Sequence, residues 1–127
     1  MADIERGNRP LSPHLQVYRP QLTSITSIFT RITGNALIVG AALIVWWFLA
    51  AASGPEAFAR AQWWLTSWVG DLIMFLSLWA LWYHALAGIR HLIWDTGRGL
   101  ELETAEKMGL AIIAGSALLT ILTALVV

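Results

Sequence analysis

The sequence from Trp82 to Asp95, W-Y-H-A-L-A-G-I-R-H-L-I-W-D, places two histidines among apolar residues. His84, Gly88, His91 and Asp95 are spaced four, three and four residues apart, which puts them on one stripe of an α-helix. At ~1.5 Å per residue, His84 lies about 16 Å along that helix from Asp95. An ionisable side chain so far inside a bilayer is costly and is by default a functional candidate.

A neutral imidazole beside a glycine suits axial ligation of haem iron. Nε2 can bind the iron, and the missing side chain at Gly88 leaves room for a flat macrocycle against the helix. His91 and Arg90 lie about two turns further along, where they could neutralise haem propionates, although Arg90 is better interpreted as an ordinary interface anchor. The spacing equally allows His84 to be a hydrogen-bonded histidine between packed helices.

A six-coordinate haem requires a second axial ligand on the opposite face of the ring. His91 leaves the same helix on the same stripe, and no histidine occurs in the other two apolar segments of the chain. Met108 lies at the edge of its apolar segment, far from the depth of His84. The haem interpretation therefore predicts a second ligand from another chain, in a homodimer or a heterodimer.

A second candidate site is formed by Ser27 and Arg31, which are four residues apart in L-T-S-I-T-S-I-F-T-R-I-T-G. At this spacing a hydroxyl and a guanidinium share one helical face, here at the membrane boundary. The pair could hold a polar headgroup such as a quinone carbonyl. In the alternative interpretation, Ser24 or Thr23 caps the helix and Arg31 extends its charge to the interface.

Three apolar segments are long enough to cross a membrane. Residues 32–52 and 108–127 contain no charge, and His84 is the one residue in 72–89 that can carry a charge near neutral pH. A helix of about 20 apolar residues spans the ~30 Å hydrocarbon core, and 57% of the 127 residues are apolar. We predict an all-α integral membrane protein with an N-terminal segment over 1–22, a three-helix anchor over 23–127 and spans at about 26–53, 66–94 and 106–127.

The basic residues predict the orientation of these spans, because cytoplasmic flanks carry an excess of Lys and Arg. Arg60 alone lies on one side, and the other basic residues lie on the opposite side: Arg6, Arg9, Arg19, Arg31, Arg90, Arg98 and Lys107. The N terminus is thus expected in the cytoplasm and the C terminus in the periplasm. The first 25 residues resemble neither a secretory signal nor a mitochondrial transit peptide, since they lack an apolar core and contain Asp3 and Glu5. A bacterial plasma membrane is the simplest location.

Composition excludes several classes of function. Eight Lys and Arg balance eight Asp and Glu, so no basic surface is available for nucleic acid. Without cysteine there is no disulfide, thiolate metal site or Cys nucleophile. No Ser/His/Asp set or Gly-rich phosphate loop is recognisable, so we predict no catalytic residue in this chain.

Three motifs in the same order, R-P-L-S-P-H-L-Q-V-Y (Arg9–Tyr18), S-I-F-T-R-I-T-G (Ser27–Gly34) and H-A-L-A-G-I-R-H-L-I-W-D (His84–Asp95), resemble the cytochrome b membrane subunits of succinate dehydrogenase, respiratory complex II. The resemblance covers the whole chain and implies a haem b-binding anchor that helps to reduce quinone with electrons from succinate. It also implies a second three-span anchor in a heterodimeric helical bundle, together with an iron–sulfur subunit and a flavoprotein subunit. Succinate would be oxidised on those other chains.

Position by position, the resemblance makes His84 an axial ligand of the haem b iron, with a histidine of the partner anchor as the other ligand. His91 and Arg31 match positions near the haem propionates, and Ser27 with Arg31 matches the quinone-headgroup site. Many relatives have histidine where this chain has Thr30. A hydroxyl cannot supply that histidine's charged propionate contact.

Two other functions are compatible with these residues. One is a fumarate reductase anchor, in which the same parts oxidise quinol. We expect ubiquinone as the substrate, with menaquinone as the alternative. The type of quinone bears on whether the anchor serves quinone reduction or quinol oxidation. The other is a structural membrane scaffold without a cofactor, whose histidines serve only in packing.

Overall fold

The computed structural model describes residues 10–126, which are arranged as four α-helices. Arg6 and Arg9, which contribute to the expected orientation, lie outside the described residues with the rest of positions 1–9 and Val127. The prediction of an all-α protein with three membrane-spanning helices is confirmed. The helices are α1 (Leu22–Ser53), α2 (Pro55–Leu65), α3 (Trp68–Asp95) and α4 (Leu102–Val126).

Helices α1, α3 and α4 are each long and apolar enough to cross a membrane. They contain 32, 28 and 25 residues, and even the shortest is about 38 Å long at ~1.5 Å per residue. The hydrocarbon core is only about 30 Å thick, so these helices must tilt or extend beyond it. Their apolar side chains are mostly exposed, as expected where lipid rather than water surrounds the protein.

The first turn of α1 begins earlier than expected. Gln21 occupies the N-cap position in an extended conformation, and its side chain forms no capping hydrogen bond. The alternative in which Ser24 or Thr23 caps the helix is therefore wrong, because both residues lie inside the first turn. Ser24 Oγ instead donates to Gln21 Oε1 at 3.1 Å and lies 3.0 Å from the Tyr18 hydroxyl.

The connection after α1 contains a short helix, α2, that was not predicted from the sequence. Gly54 has φ +123°, a conformation that side chains disfavour, and Pro55 then occupies the first position of α2, where its fixed φ suits a helix. Trp47 Nε1 of α1 donates to Gln62 Oε1 of α2 at 2.9 Å. The short helix is thus held against the end of α1 from which it emerges.

Helix α3 lies between α1 and α4 and contacts both. Ser67 caps it by accepting a hydrogen bond from the Gly70 amide at 3.2 Å. Small residues permit close approach of its neighbours: a Cβ at Gly40 would lie 3.1 Å from Ser77, and one at Gly115 would lie 3.2 Å from Leu86. We call the end where α1 begins, α3 ends and α4 begins the N-terminal end of the bundle.

Candidate functional site

The ring of His84 lies between α3 and α1 and is half-buried. Its Nδ1 atom is 3.0 Å from the main-chain oxygen of Thr30 and 3.4 Å from Thr33 Oγ1. A carbonyl oxygen only accepts hydrogen bonds, so this contact requires a proton on Nδ1. In the neutral ring, Nε2 then carries the free lone pair with which an imidazole binds a metal ion. Metal-binding histidines commonly donate their other ring N–H to such a carbonyl.

Glycine at position 34 allows this arrangement. A Cβ at Gly34 would lie 3.0 Å from His84 Cε1 and 3.5 Å from Nδ1. A methyl group there would press on the imidazole, which is already held by its hydrogen bond to the Thr30 carbonyl. The position of the ring therefore depends on the absence of a side chain at Gly34.

Thr30 contributes to the site through its main chain. Its hydroxyl donates to the Thr26 carbonyl at 2.9 Å, within the same helix. The Thr30 side chain is thus tied to α1, whereas the carbonyl of the same residue contacts His84.

The stripe next to His84 on α3 is open. A Cβ at Gly88 would have no atom within 4 Å, so there is open space beside the helix one turn from His84. His91, on the same stripe, is exposed and packs edge-to-face on Trp94, with ring centroids 5.4 Å apart. The surface formed by His84 and Gly88 can accept a planar group on the outside of the chain.

Ser27 and Arg31 lie on α1, each directly after a threonine that contacts α3. Thr30 contacts His84 and Thr26 contacts Arg90, which fixes α1 and α3 antiparallel at this end of the bundle. Arg31 directly follows Thr30 on α1, so its Cα lies at nearly the height of His84, given a rise of about 1.5 Å per residue. Ser27 is half-buried, while Arg31 is exposed and forms no ion pair within residues 10–126.

The interpretation of Arg90 as an interface anchor is wrong. Arg90 is only 2% exposed, because its guanidinium turns into the bundle. Nη1 donates to Thr26 Oγ1 at 3.0 Å, and Cζ lies 4.7 Å from the centroid of the Trp94 ring. A hydroxyl and an aromatic face thus replace the water that an arginine at the interface would reach.

Thr26 is the point where three helices meet. The hydroxyl of Tyr83 donates to the Thr26 carbonyl at 3.0 Å. From α4, a Cβ at Gly109 would lie 3.3 Å from Thr26 Cγ2 and 3.8 Å from Arg90 Nη1. We call Thr26, Tyr83, Arg90 and Gly109 the Thr26 node. Sequence reasoning did not identify this node, and the one signal for it was a basic residue within the second span.

The Thr26 node leaves part of one charged group without a partner. The Nε and Nη2 atoms of Arg90 are buried and have no hydrogen-bond partner among residues 10–126. A buried polar atom without a partner is costly. Each hydrogen bond that the guanidinium does form therefore matters for stability.

A bare metal ion has no complete ligand set in the described part of the chain, where no group of three or more His, Cys, Asp and Glu side chains comes together. His84 offers a single nitrogen donor beside open space at Gly88. Such a site suits a metal whose remaining ligands come with it, as in a macrocycle, or from another chain.

Comparison with known proteins agrees with this architecture over nearly the whole chain. Residues 5–123 match the model of the family described as succinate dehydrogenase/fumarate reductase transmembrane subunit. The succinate dehydrogenase cytochrome b556 subunit of Paracoccus denitrificans is 60% identical over 126 residues, covering 99% of this chain and 97% of that protein.

More distant relatives carry similar names. The cytochrome b556 subunit of succinate dehydrogenase from Rickettsia conorii is 35% identical over 116 residues, covering 91% of this chain and 90% of that protein. The cytochrome b560 subunit from Marchantia polymorpha is 38% identical over 121 residues, covering 91% and 88%. The chain therefore belongs to the succinate dehydrogenase/fumarate reductase transmembrane subunit family, and its resemblance to the cytochrome b membrane subunits of succinate dehydrogenase is confirmed.

Proposed function

We propose that this chain binds haem b through His84 and contributes to the quinone-reduction site of succinate dehydrogenase. The observation that carries the proposal is the 3.0 Å contact between His84 Nδ1 and the Thr30 carbonyl, which directs the lone pair to Nε2. The relatives' name, cytochrome b, supports the same cofactor. Bound haem b supplies a one-electron carrier within the membrane.

The open surface of α3 fits this cofactor. His84 would hold the iron from one side, and Gly88 would let the macrocycle lie against the helix. His91 and Arg31 are exposed and would neutralise the propionates. The second axial ligand would be a histidine of another three-span anchor, so that this chain forms half of a heterodimeric bundle.

The quinone headgroup would bind at Ser27 and Arg31. Both side chains are hydrogen-bond donors, and four residues separate them on α1. They would donate to one quinone oxygen and stabilise the negative charge that forms on it during reduction. This stabilisation is strong where water is excluded, because charges there are weakly screened. Ubiquinone is the expected substrate, with menaquinone as the alternative.

Electrons would enter at the N-terminal end of the bundle from an iron–sulfur subunit, which receives them from a flavoprotein subunit that oxidises succinate. This chain would not oxidise succinate by itself. The distribution of charge supports a cytoplasmic location for that end in a bacterial plasma membrane. Arg19, Arg98 and Lys107 lie there, whereas Arg60 lies on α2 at the other end.

Haem ligation is tested by reduced-minus-oxidised absorption spectra of the purified complex. We expect b-type bands in the wild type and their loss in His84→Ala, with the soluble subunits still attached. His14→Ala serves as the matched control, because His14 is exposed and lies before α1, and it should retain the bands. A complete wild-type complex without b-type haem would contradict haem binding and favour a structural scaffold without a cofactor.

The direction of the reaction is tested with the same preparation. Succinate oxidation coupled to ubiquinone should be faster than fumarate reduction with menaquinol. The opposite preference would identify a fumarate reductase anchor instead, without affecting the assignment of His84.

A further inference from the structure

We propose that Gly34 and Thr33 of α1 are positioning residues that hold the imidazole of His84 and set the basicity of its Nε2. This inference rests on the proposed ligation of haem by His84. Neither residue would touch the iron. Thr33 contacts the ring at Nδ1, whereas a Cβ at Gly34 would lie nearest to Cε1, 3.5 Å from Nδ1 and 3.9 Å from Nε2.

Gly34 fixes the distance between the imidazole and α1. With no side chain at this position, Nδ1 reaches the Thr30 carbonyl at 3.0 Å. A Cβ would lie 3.0 Å from Cε1, closer than two carbon atoms approach at optimal separation, about 3.5–4.0 Å. The ring would have to move away from α1 by several tenths of an ångström. The Nδ1–H···O hydrogen bond would lengthen as a result.

Thr33 supplies a second acceptor for the same proton. Its Oγ1 lies 2.8 Å from the Phe29 carbonyl, 3.0 Å from the Thr30 carbonyl and 3.4 Å from His84 Nδ1. The single hydroxyl proton is engaged by the carbonyls of α1, so an oxygen lone pair remains for Nδ1–H. Thr33 is 2% exposed, so water does not compete at this position.

The two contacts act on the far nitrogen of the ring. A stronger hydrogen bond from Nδ1–H gives the imidazole more negative character and raises the basicity of the ligating nitrogen. A more basic ligand stabilises ferric over ferrous iron and lowers the midpoint potential. Weakening the contact at Nδ1 should therefore raise the midpoint potential of the haem.

The test compares two pairs of variants in the assembled complex. Gly34→Ala moves the ring, whereas Gly40→Ala introduces an equally close contact between α1 and α3 at Ser77, where the added Cβ would lie 3.1 Å away. Thr33→Val removes the hydroxyl and nearly preserves the volume, whereas Thr33→Ser retains the hydroxyl. The measurements are haem content, redox titration of the b-type bands and electron paramagnetic resonance of the ferric haem.

We expect Gly34→Ala and Thr33→Val to keep haem but to show a more positive midpoint potential and altered low-spin g-values. Gly40→Ala and Thr33→Ser should stay close to the wild type. Wild-type values in both Gly34→Ala and Thr33→Val would overturn the inference, as would an equal shift in Gly40→Ala, which would indicate an effect of helix spacing alone. If Gly34→Ala does not assemble, the Thr33 pair decides.

These outcomes are distinct from failure of the proposed function. A wild-type complex without haem, or His84→Ala with intact b-type bands, would contradict the proposed ligation of haem by His84. His84→Ala could instead lose the bands while the Gly34 and Thr33 variants keep the wild-type midpoint potential. That result would contradict only the positioning role of Gly34 and Thr33.

Discussion

Replacing Thr26 by valine tests how three helices are held together at the N-terminal end of the bundle. Thr26 is fully buried, and its Oγ1 accepts a hydrogen bond from Arg90 Nη1 at 3.0 Å. Valine preserves the shape of the side chain but removes this oxygen. Because Nε and Nη2 of Arg90 already lack partners in the described range 10–126, the buried guanidinium would lose the one hydrogen bond it forms there.

The size of the effect follows from two limits. A hydrogen bond to a charged group contributes about 1.5–3 kcal/mol in water-soluble proteins. Hydrogen bonds between membrane helices average about 0.6 kcal/mol and reach about 1.7 kcal/mol. The contact of Arg90 with the Trp94 ring remains in the variant, so we expect a loss of about 1–2 kcal/mol in the free energy of unfolding, a factor of roughly 5–30 in the folded-to-unfolded ratio.

Thr120→Val is the matched control. Thr120 is also buried, at 2% exposed, but its hydroxyl donates to the Ser116 carbonyl one turn earlier on α4. Such a bond within a helix adds little to stability, so we expect a change within about 0.5 kcal/mol. The assay is unfolding of the purified complex in mixed micelles with increasing dodecyl sulfate, followed by circular dichroism. Equal midpoints for the two variants would refute the assignment of Thr26 as the link to Arg90.

Three further predictions concern the site and the orientation. Ser27→Ala and Arg31→Leu should retain succinate oxidation with a soluble artificial acceptor. The rate of quinone reduction should fall by roughly 10-fold or more, as expected for loss of a hydrogen bond worth about 1.5–3 kcal/mol. Unchanged quinone kinetics in both variants would contradict a quinone site at these residues. Gly88→Leu should lower haem content in absorption spectra while the complex still assembles, because a Cβ there meets no atom of this chain; full haem content would show that the macrocycle lies elsewhere. The chain contains no native cysteine, so in inverted vesicles a membrane-impermeant maleimide should label Arg98→Cys and spare Arg60→Cys; the reverse labelling would invert the orientation.

The spans could be predicted from the sequence because bilayer thickness imposes their length. Long runs without charge specify a transmembrane helix whatever its neighbours are. Helices α1 and α4 begin at Leu22 and Leu102, four residues before the predicted starts of the spans near 26 and 106. Polar residues in a first turn can be solvated outside the hydrocarbon, and hydropathy does not register them.

Helix α2 was not predicted because it is too short to cross the membrane. It has 11 residues, including Glu56 and Arg60, and therefore lacks an apolar run of spanning length. Its signal was local: Pro55 follows Gly54, and proline is favoured at the first position of a helix.

The candidate site was predictable in part. The spacing of His84 and Gly88 places them on one helical stripe, and the structure has open space beside Gly88. The partner of Nδ1 was not predictable, because the Thr30 carbonyl lies 54 residues away in sequence and spacing within one helix does not give the register between two. The burial of Arg90 was missed for the same reason, since Thr26 lies on another helix.

An electron-microscopy map of the assembled complex tests the central claim most directly, because it shows both ring nitrogens of His84 at once. We expect haem iron bonded to Nε2, with Nδ1 still within hydrogen-bonding distance of the Thr30 carbonyl. A complete complex in which this imidazole contacts only side chains, or binds iron through Nδ1, would contradict haem ligation by His84 Nε2.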